Sequence, residues 1–226
     1  MNVETLLPEA LLPAFDRYYE LLIEWNAKFN LTSVTEKNDV FLKHFADSLS
    51  GARAFPENAS VCDIGSGAGF PGIPLKLLRP DLNVTLIDSL QKRVTFLNEV
   101  IQELKLTGIR AEHLRAEDAA KPYREFFDCA TARAVAALNT LCEYAVPLVK
   151  RGGRFVAYKS AECMGEIAEA ARAIKVLGGR LLPIDTFTVE GADGTRLSRA
   201  LIVIEKVSDT PAGFPRGGNK PKTNPL

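Results

Sequence analysis

Apolar positions in the first fifty residues recur at helical spacing. Leu7, Leu11, Phe15, Tyr18, Leu22 and Trp25 fall three or four apart and predict an amphipathic helix over 4–29. Phe41, Phe45 and Leu49 repeat the pattern and predict a second helix over 38–49, after a connection at Asn30-Leu-Thr-Ser-Val-Thr. Pro56 and Asn58 mark a loop from Gly51 to Ala59. From Ser60 the rhythm changes. Apolar runs of strand length at 60–64, 83–88, 109–114, 127–131 and 153–158 alternate with helical stretches near 72–79, 90–105, 136–149 and 162–177. Gly108, Gly152-Gly153 and Gly178-Gly179 punctuate the joins. Such alternation predicts an α/β fold with a parallel sheet covered by helices on both faces. The last two runs, 181–190 and 199–206, are joined only by Gly-Ala-Asp-Gly-Thr-Arg-Leu-Ser and are expected to pair as an antiparallel hairpin.

A seven-stranded, mostly parallel sheet finished by such a hairpin is the plan of the Rossmann-like fold of methyltransferases that use S-adenosylmethionine (SAM). Plain dinucleotide-binding sheets usually finish parallel. The chain therefore divides into an N-terminal helical cap (1–59), a methyltransferase-like domain (60–207) and a tail (208–226). The tail is rich in Gly and Pro, and from Ala212 onward it carries positive charge and no acid. Its bland reading is a floppy extension.

Composition narrows the picture. The chain has 226 residues, 46% hydrophobic and 25% charged, with a net charge of zero. This is ordinary for a globular protein with a full core, and it argues against a general nucleic-acid binder while leaving room for a local basic patch. The four cysteines, Cys62, Cys129, Cys142 and Cys163, form no C-x-x-C pair, and His44 and His113 are the only histidines. No metal site is expected, and the cysteines read as reduced core residues of a cytoplasmic protein. No signal peptide or membrane span is expected, because no apolar stretch approaches the roughly 20 residues that crossing requires.

The chemistry concentrates at Val61-Cys-Asp63-Ile-Gly65-Ser-Gly67-Ala-Gly69-Phe70-Pro-Gly72. A short strand carrying an acid runs into alternating glycines and then a helix. Glycine tolerates left-handed backbone and has no side chain to block a ligand, and the helix start offers free N–H groups. Gly65-x-Gly67-x-Gly69 with Asp63 is the SAM pattern; Gly67-Ala-Gly69-Phe-Pro-Gly72 also satisfies the G-x-G-x-x-G of dinucleotide binders. The second strand ends at Asp88, an acid suited to ribose hydroxyls in either cofactor class. Ala116-Glu117 follows the third strand, where an adenine would lie. Arg133, at the exit of the fourth strand, is suited to a phosphate, a base or a cofactor carboxylate. Two rival classes stay open at this point: an NAD-dependent oxidoreductase, and a non-catalytic ribosome-binding module.

The chain resembles the RsmG group, also called glucose-inhibited division protein B, of bacterial 16S ribosomal RNA guanine-N-7 methyltransferases. The resemblance rests on Trp25-Asn-Ala-Lys-Phe-Asn-Leu-Thr, His44-Phe-Ala-Asp-Ser, Asp63-Ile-Gly-Ser-Gly-Ala-Gly-Phe-Pro-Gly-Ile-Pro-Leu, Asp88-Ser-Leu-Gln-Lys-Arg-Val-Thr-Phe-Leu, Thr131-Ala-Arg-Ala-Val-Ala-Ala-Leu and Phe214-Pro-Arg-Gly-Gly-Asn-Lys-Pro. It implies SAM as cofactor and the guanine at position 527 of 16S rRNA as target, in naked RNA or in the small ribosomal subunit. It also implies cofactor contacts by Gly65, Phe70, Asp88, Ser89, Ala116, Glu117 and Arg133, with Gly67 and Gly69 in the same turn. Arg133 would position the reactants, and His44 and Asp47 would orient the cap. Candidate RNA contacts are Lys92, Arg93, Lys159, Arg196 and Arg199, with Arg216, Lys220 and Lys222 of the tail. No membrane partner is expected, and the protein is expected to be a monomer.

Overall fold

A computed structural model describes residues 1–133 and 136–226. Its strands are β1 (Ser60–Ile64), β2 (Asn83–Asp88), β3 (Ile109–His113), β4 (Phe127–Arg133), β5 (Val149–Ser160), β6 (Gly179–Leu181), β7 (Asp185–Glu190) and β8 (Arg196–Lys206). They form one sheet in the order β3-β2-β1-β4-β5-β8-β6, with β7 also paired to β8. The first five strands run parallel to their neighbours, and β8 enters antiparallel to β5.

The run expected as one strand over 181–190 is two. β6 pairs with the end of β8, at Ile204 to Lys206, and β7 pairs with its start, at Arg196 to Leu201. Both lie along the β8 edge not taken by β5. Pro183 falls between them and cannot donate to the ladder, which interrupts pairing there. The N-terminal helix is likewise divided. Leu7, just before Pro8, is extended, so a short helix at Val3–Leu6 stops before the 3-10 turn Glu9–Leu11 and the long helix Leu12–Phe29.

Strand alternation sends successive side chains to opposite faces. Val61 and Leu86 join one buried cluster, Cys62 and Ile87 the other. The first cluster also holds Phe15, Tyr18, Leu22, Phe45 and Leu49, so the cap and the sheet share one core. The second lies under the helices Leu138–Ala145 and Met164–Val176. All four cysteines are free and buried in these layers. Among the described residues, no helix is long and apolar enough to cross a membrane.

The tail is folded back rather than loose. Phe214 and Leu226 pack against the second cluster, and Pro221 is buried. Arg216 meets the buried carboxylate of Glu143: its backbone N–H donates to Oε1 at 2.8 Å, Nε to Oε1 at 2.9 Å and Nη2 to Oε2 at 2.7 Å. A basic, acid-free segment thus finds its counter-charge inside the domain.

Candidate active site

In an open parallel sheet, ligands gather outside the carboxyl ends of the strands where the strand order reverses. Here the order reverses between β1 and β4, and a cleft opens on each side of that point.

The smaller cleft, about 140 Å³, lies beyond β1, β2 and β3 and is lined by Gly65, Asp88, Ser89, Ala116, Glu117 and Lys222, among others. Gly65, Gly67 and Gly69 all have positive φ, at 66°, 59° and 95°. Gly67 and Gly69 need to be glycine for different reasons. A Cβ on Gly67 would meet nothing closer than the Gly65 carbonyl at 3.9 Å, so that face of the turn is open to a ligand. A Cβ on Gly69 would strike Ile73 Cδ1 at 2.7 Å, so that glycine lets the helix and cap close in. Asp88, only 2% exposed, fixes the turn from β2: its Oδ2 accepts the Gly67 N–H at 2.9 Å and its Oδ1 the Leu90 N–H at 2.9 Å. Arg93 approaches the same carboxylate at 3.4 Å.

Asp63 lies buried behind the turn. Its Oδ2 accepts the Gly72 N–H at 2.9 Å, while Oδ1 has no hydrogen-bond partner among the described residues. Burial raises its carboxyl to about 7, opposed by the Gly72 and Ser66 hydrogen bonds and by the charge of Arg133. A second buried polar atom is also unpartnered, the hydroxyl of Tyr144 on the wall of the small cleft. An open glycine turn, a carboxylate at the end of β2 and the unpartnered hydroxyl of a cleft-lining tyrosine fit an adenosine-bearing ligand better than an apolar one.

The larger cleft, about 390 Å³, lies beyond β4 and β5 and is lined by Lys43, His44, Asp47, Arg133, Lys159 and Arg199 together with Tyr158, Ser160 and Leu197. Its geometry comes from the cap. Residues 37–49 form a helix whose middle, Phe41–Ala46, is widened into a π-helix. Such turns concentrate at functional sites. Here the segment brings the Lys43 carbonyl, His44 and Asp47 to Arg133. Arg133 Nη1 donates to the Lys43 carbonyl and to Asp47 Oδ2, both at 2.9 Å, and Nη2 lies 3.2 Å from His44 Nδ1. Nδ1 lies equally close, at 3.2 Å, to the Lys43 carbonyl, which only accepts, and Nε2 lies 2.9 Å from the Thr32 hydroxyl, so both ring nitrogens are engaged. Burial and the Arg133 charge push His44 down to about 3, so it is neutral. Asp47 takes a second arginine, Arg199 Nε, at 2.7 Å.

The predicted residues therefore fall into groups. Gly65, Asp88, Ser89, Ala116, Glu117 and Lys222 line the small cleft; Arg133, Lys159 and Arg199 line the large one. Phe70 lies between the turn and the cap, 6% exposed, stacked on His44 at 4.5 Å with the Arg133 guanidinium 5.0 Å from its ring centre. Lys92 donates to the Phe29 carbonyl, Arg216 is committed to Glu143, and Lys220 is exposed. Ala134 and Val135, quoted in the Thr131–Leu138 resemblance, lie outside the described residues. Lys43, Tyr144 and Asn219 were not singled out from the sequence. Periodicity marks Tyr144 only as a core position, and Lys43 and Asn219 gain meaning only from tertiary contact.

Fold and clefts together define a Rossmann-like methyltransferase scaffold. M. jannaschii TYW2 in complex with AdoMet shares it with a TM-score of 0.59 at 17% identity, over 76% of this chain and 78% of that one. Residues 11–193 match the family described as rRNA small subunit methyltransferase G, known as GidB. A Desulfitobacterium hafniense relative, "Ribosomal RNA small subunit methyltransferase G", is 49% identical over 100% of this chain and 93% of its own length. A Geobacillus kaustophilus relative of the same description is 47% identical over 98% and 93%. The chain belongs to the rRNA small subunit methyltransferase G family.

Proposed function

We propose that this protein methylates N-7 of a guanine in the RNA of the small ribosomal subunit, with SAM as methyl donor. The observation that carries the reading is the pair of clefts flanking the β1/β4 switch point, one built for adenosine and one basic. Gly65, Gly67 and Asp88 would hold the ribose side of SAM, and Ala116 and Glu117 its adenine. Bound there, SAM supplies an electrophilic methyl group on a sulfonium.

Guanine N-7 has an in-plane lone pair and no proton, so the protein need not supply a general base. Its residues fit that demand. His44 is neutral and hydrogen-bonded on both nitrogens, and burial pushes the Cys129 and Cys142 thiols up, Cys129 to about 12, away from the nucleophilic thiolate. What remains is positioning, which can lower a barrier by several kcal/mol when reacting atoms are held in line (about 7–11 kcal/mol at the limit). Arg133 is well placed for this, being bonded to Lys43, His44 and Asp47 and stacked on Phe70. The larger cleft is roomy enough to receive an unstacked base, the usual way RNA loops are read. Lys43 and Arg199, partly exposed on its lining, would meet phosphate, whereas Lys159 is held inward by Glu166 at 2.6 Å and the Ala136 carbonyl at 2.9 Å. The reading places the protein in the cytoplasm with small-subunit rRNA as its partner.

Titration calorimetry with SAM and with NAD tests the cofactor half. Saturable SAM binding, weakened at least tenfold by Asp88→Ala, is expected; NAD binding in place of SAM would overturn it.

A further inference from the structure

The small cleft has a wall that neither the glycine turn nor the strand-end acids provide. Tyr144, on the helix Leu138–Ala145, lines it together with Asn219 and Lys222 of the tail. This wall is built before any ligand arrives. The tail is clamped to the same helix by Arg216 on buried Glu143, next to Tyr144 in sequence, and by Thr140 Oγ1 donating to the Pro221 carbonyl at 3.0 Å. Tyr144 is 1% exposed, and its hydroxyl finds no partner among the described residues. Buried hydroxyls are normally hydrogen-bonded, so an orphan on a residue that lines a cleft marks a group that a ligand can complete. Ala116 and Glu117, the loop assigned above to adenine, line the same cleft.

We infer that the C-terminal tail is part of the cofactor site: Tyr144, Asn219 and Lys222 close the pocket over the adenosine end of SAM, with the Tyr144 hydroxyl hydrogen-bonding the bound adenosine. The inference rests on the proposed SAM reading. It reassigns Lys222 from RNA to cofactor and gives the Arg216–Glu143 pair a purpose, that of holding Asn219 and Lys222 against the cleft.

The test uses the full chain and S-adenosylhomocysteine, the stable product. Tyr144→Phe removes only the hydroxyl, and Asn219→Ala/Lys222→Ala alters tail residues without touching the Arg216 anchor. Calorimetry is expected to show Tyr144→Phe binding the product about fivefold more weakly, the loss of one hydrogen bond to a neutral group. Its ligand-free Tm should be unchanged or raised. The double variant is expected to lose about threefold or more in the same titration while keeping wild-type affinity for 16S RNA. An unchanged dissociation constant for Tyr144→Phe, or a lowered ligand-free Tm, would overturn the assignment. So would a double variant that keeps the ligand and loses RNA, which would make the tail an RNA contact. Failure of the wild-type protein to bind S-adenosylhomocysteine would instead strike the SAM reading itself.

Discussion

Asp63 shows how a single buried acid ties the stability of the fold to pH. In the unfolded chain it titrates near 4, as an ordinary carboxyl does (about 3.9); in the fold, burial holds it at about 7. Its folded value is the higher one, so its ionisation favours unfolding: the contribution is neutral below about 4, turns against the fold as pH rises, and levels off above about 7. Thermal denaturation of Asp63→Asn and wild type should therefore diverge, the variant gaining Tm relative to wild type between about pH 4 and pH 7. Parallel curves would show that Asp63 is charged in the fold throughout. The glycines offer a second test. Gly67→Ala meets backbone strain alone, costing about 1–2 kcal/mol, whereas Gly69→Ala adds a clash with Ile73. Denaturant titration should find Gly69→Ala clearly the less stable, while Gly67→Ala, facing the open cleft, shows the loss of cofactor affinity out of proportion to its stability.

At the level of elements, the tail and the cap act as braces on either side of the turn. Glu143 is fully buried and, among the described residues, its carboxylate is satisfied only through Arg216. Arg216→Ala would leave that carboxylate uncompensated and should cost about 3–5 kcal/mol in denaturant unfolding, whereas Arg216→Met with Glu143→Gln should cost far less. On the other side, the buried Tyr18 hydroxyl of the long N-terminal helix donates to the Ala68 carbonyl inside the glycine turn. Tyr18→Phe should lower stability by about 1 kcal/mol, and the Tm difference measures it. These braces mark the limit of what the sequence made legible. The turn, Asp88 and Ala116-Glu117 could be placed because each is fixed by its own strand and the residues next to it. Alternating apolar runs likewise placed β1 to β5. The tail could not be placed: Glu143 sits in an apolar helical run and reads as one more surface acid, and its pairing with Arg216 spans 73 residues. The division at Pro183 was in principle visible, since a proline breaks a ladder, but the surrounding apolar pattern carried straight through it. Arg133 was picked out by its strand-exit position, while its partners came from a π-helix that no periodicity announces.

Across the whole molecule, one parallel sheet divides its chemistry at a single reversal. β1, β2 and β3 end at the adenosine cleft; β4, β5 and the start of β8 end at the basic one; the cap lays His44, Asp47 and the Phe70 stack against the boundary. In the proposed reading the two clefts are the donor and acceptor halves of one group transfer, side by side on one sheet. The protein carries no net charge, and the cations lining the larger cleft share it with acids: Lys43 with Asp39, Lys159 with Glu166, and Arg133 and Arg199 with Asp47. The most direct test is transfer of tritiated methyl from SAM to 16S RNA and to small subunits that lack the modification, with the labelled base mapped. The account predicts label on one guanine as N-7-methylguanine, lost with Asp88→Ala and strongly reduced with Arg133→Ala. Label on another atom or base, or none with either substrate despite SAM binding, would contradict it.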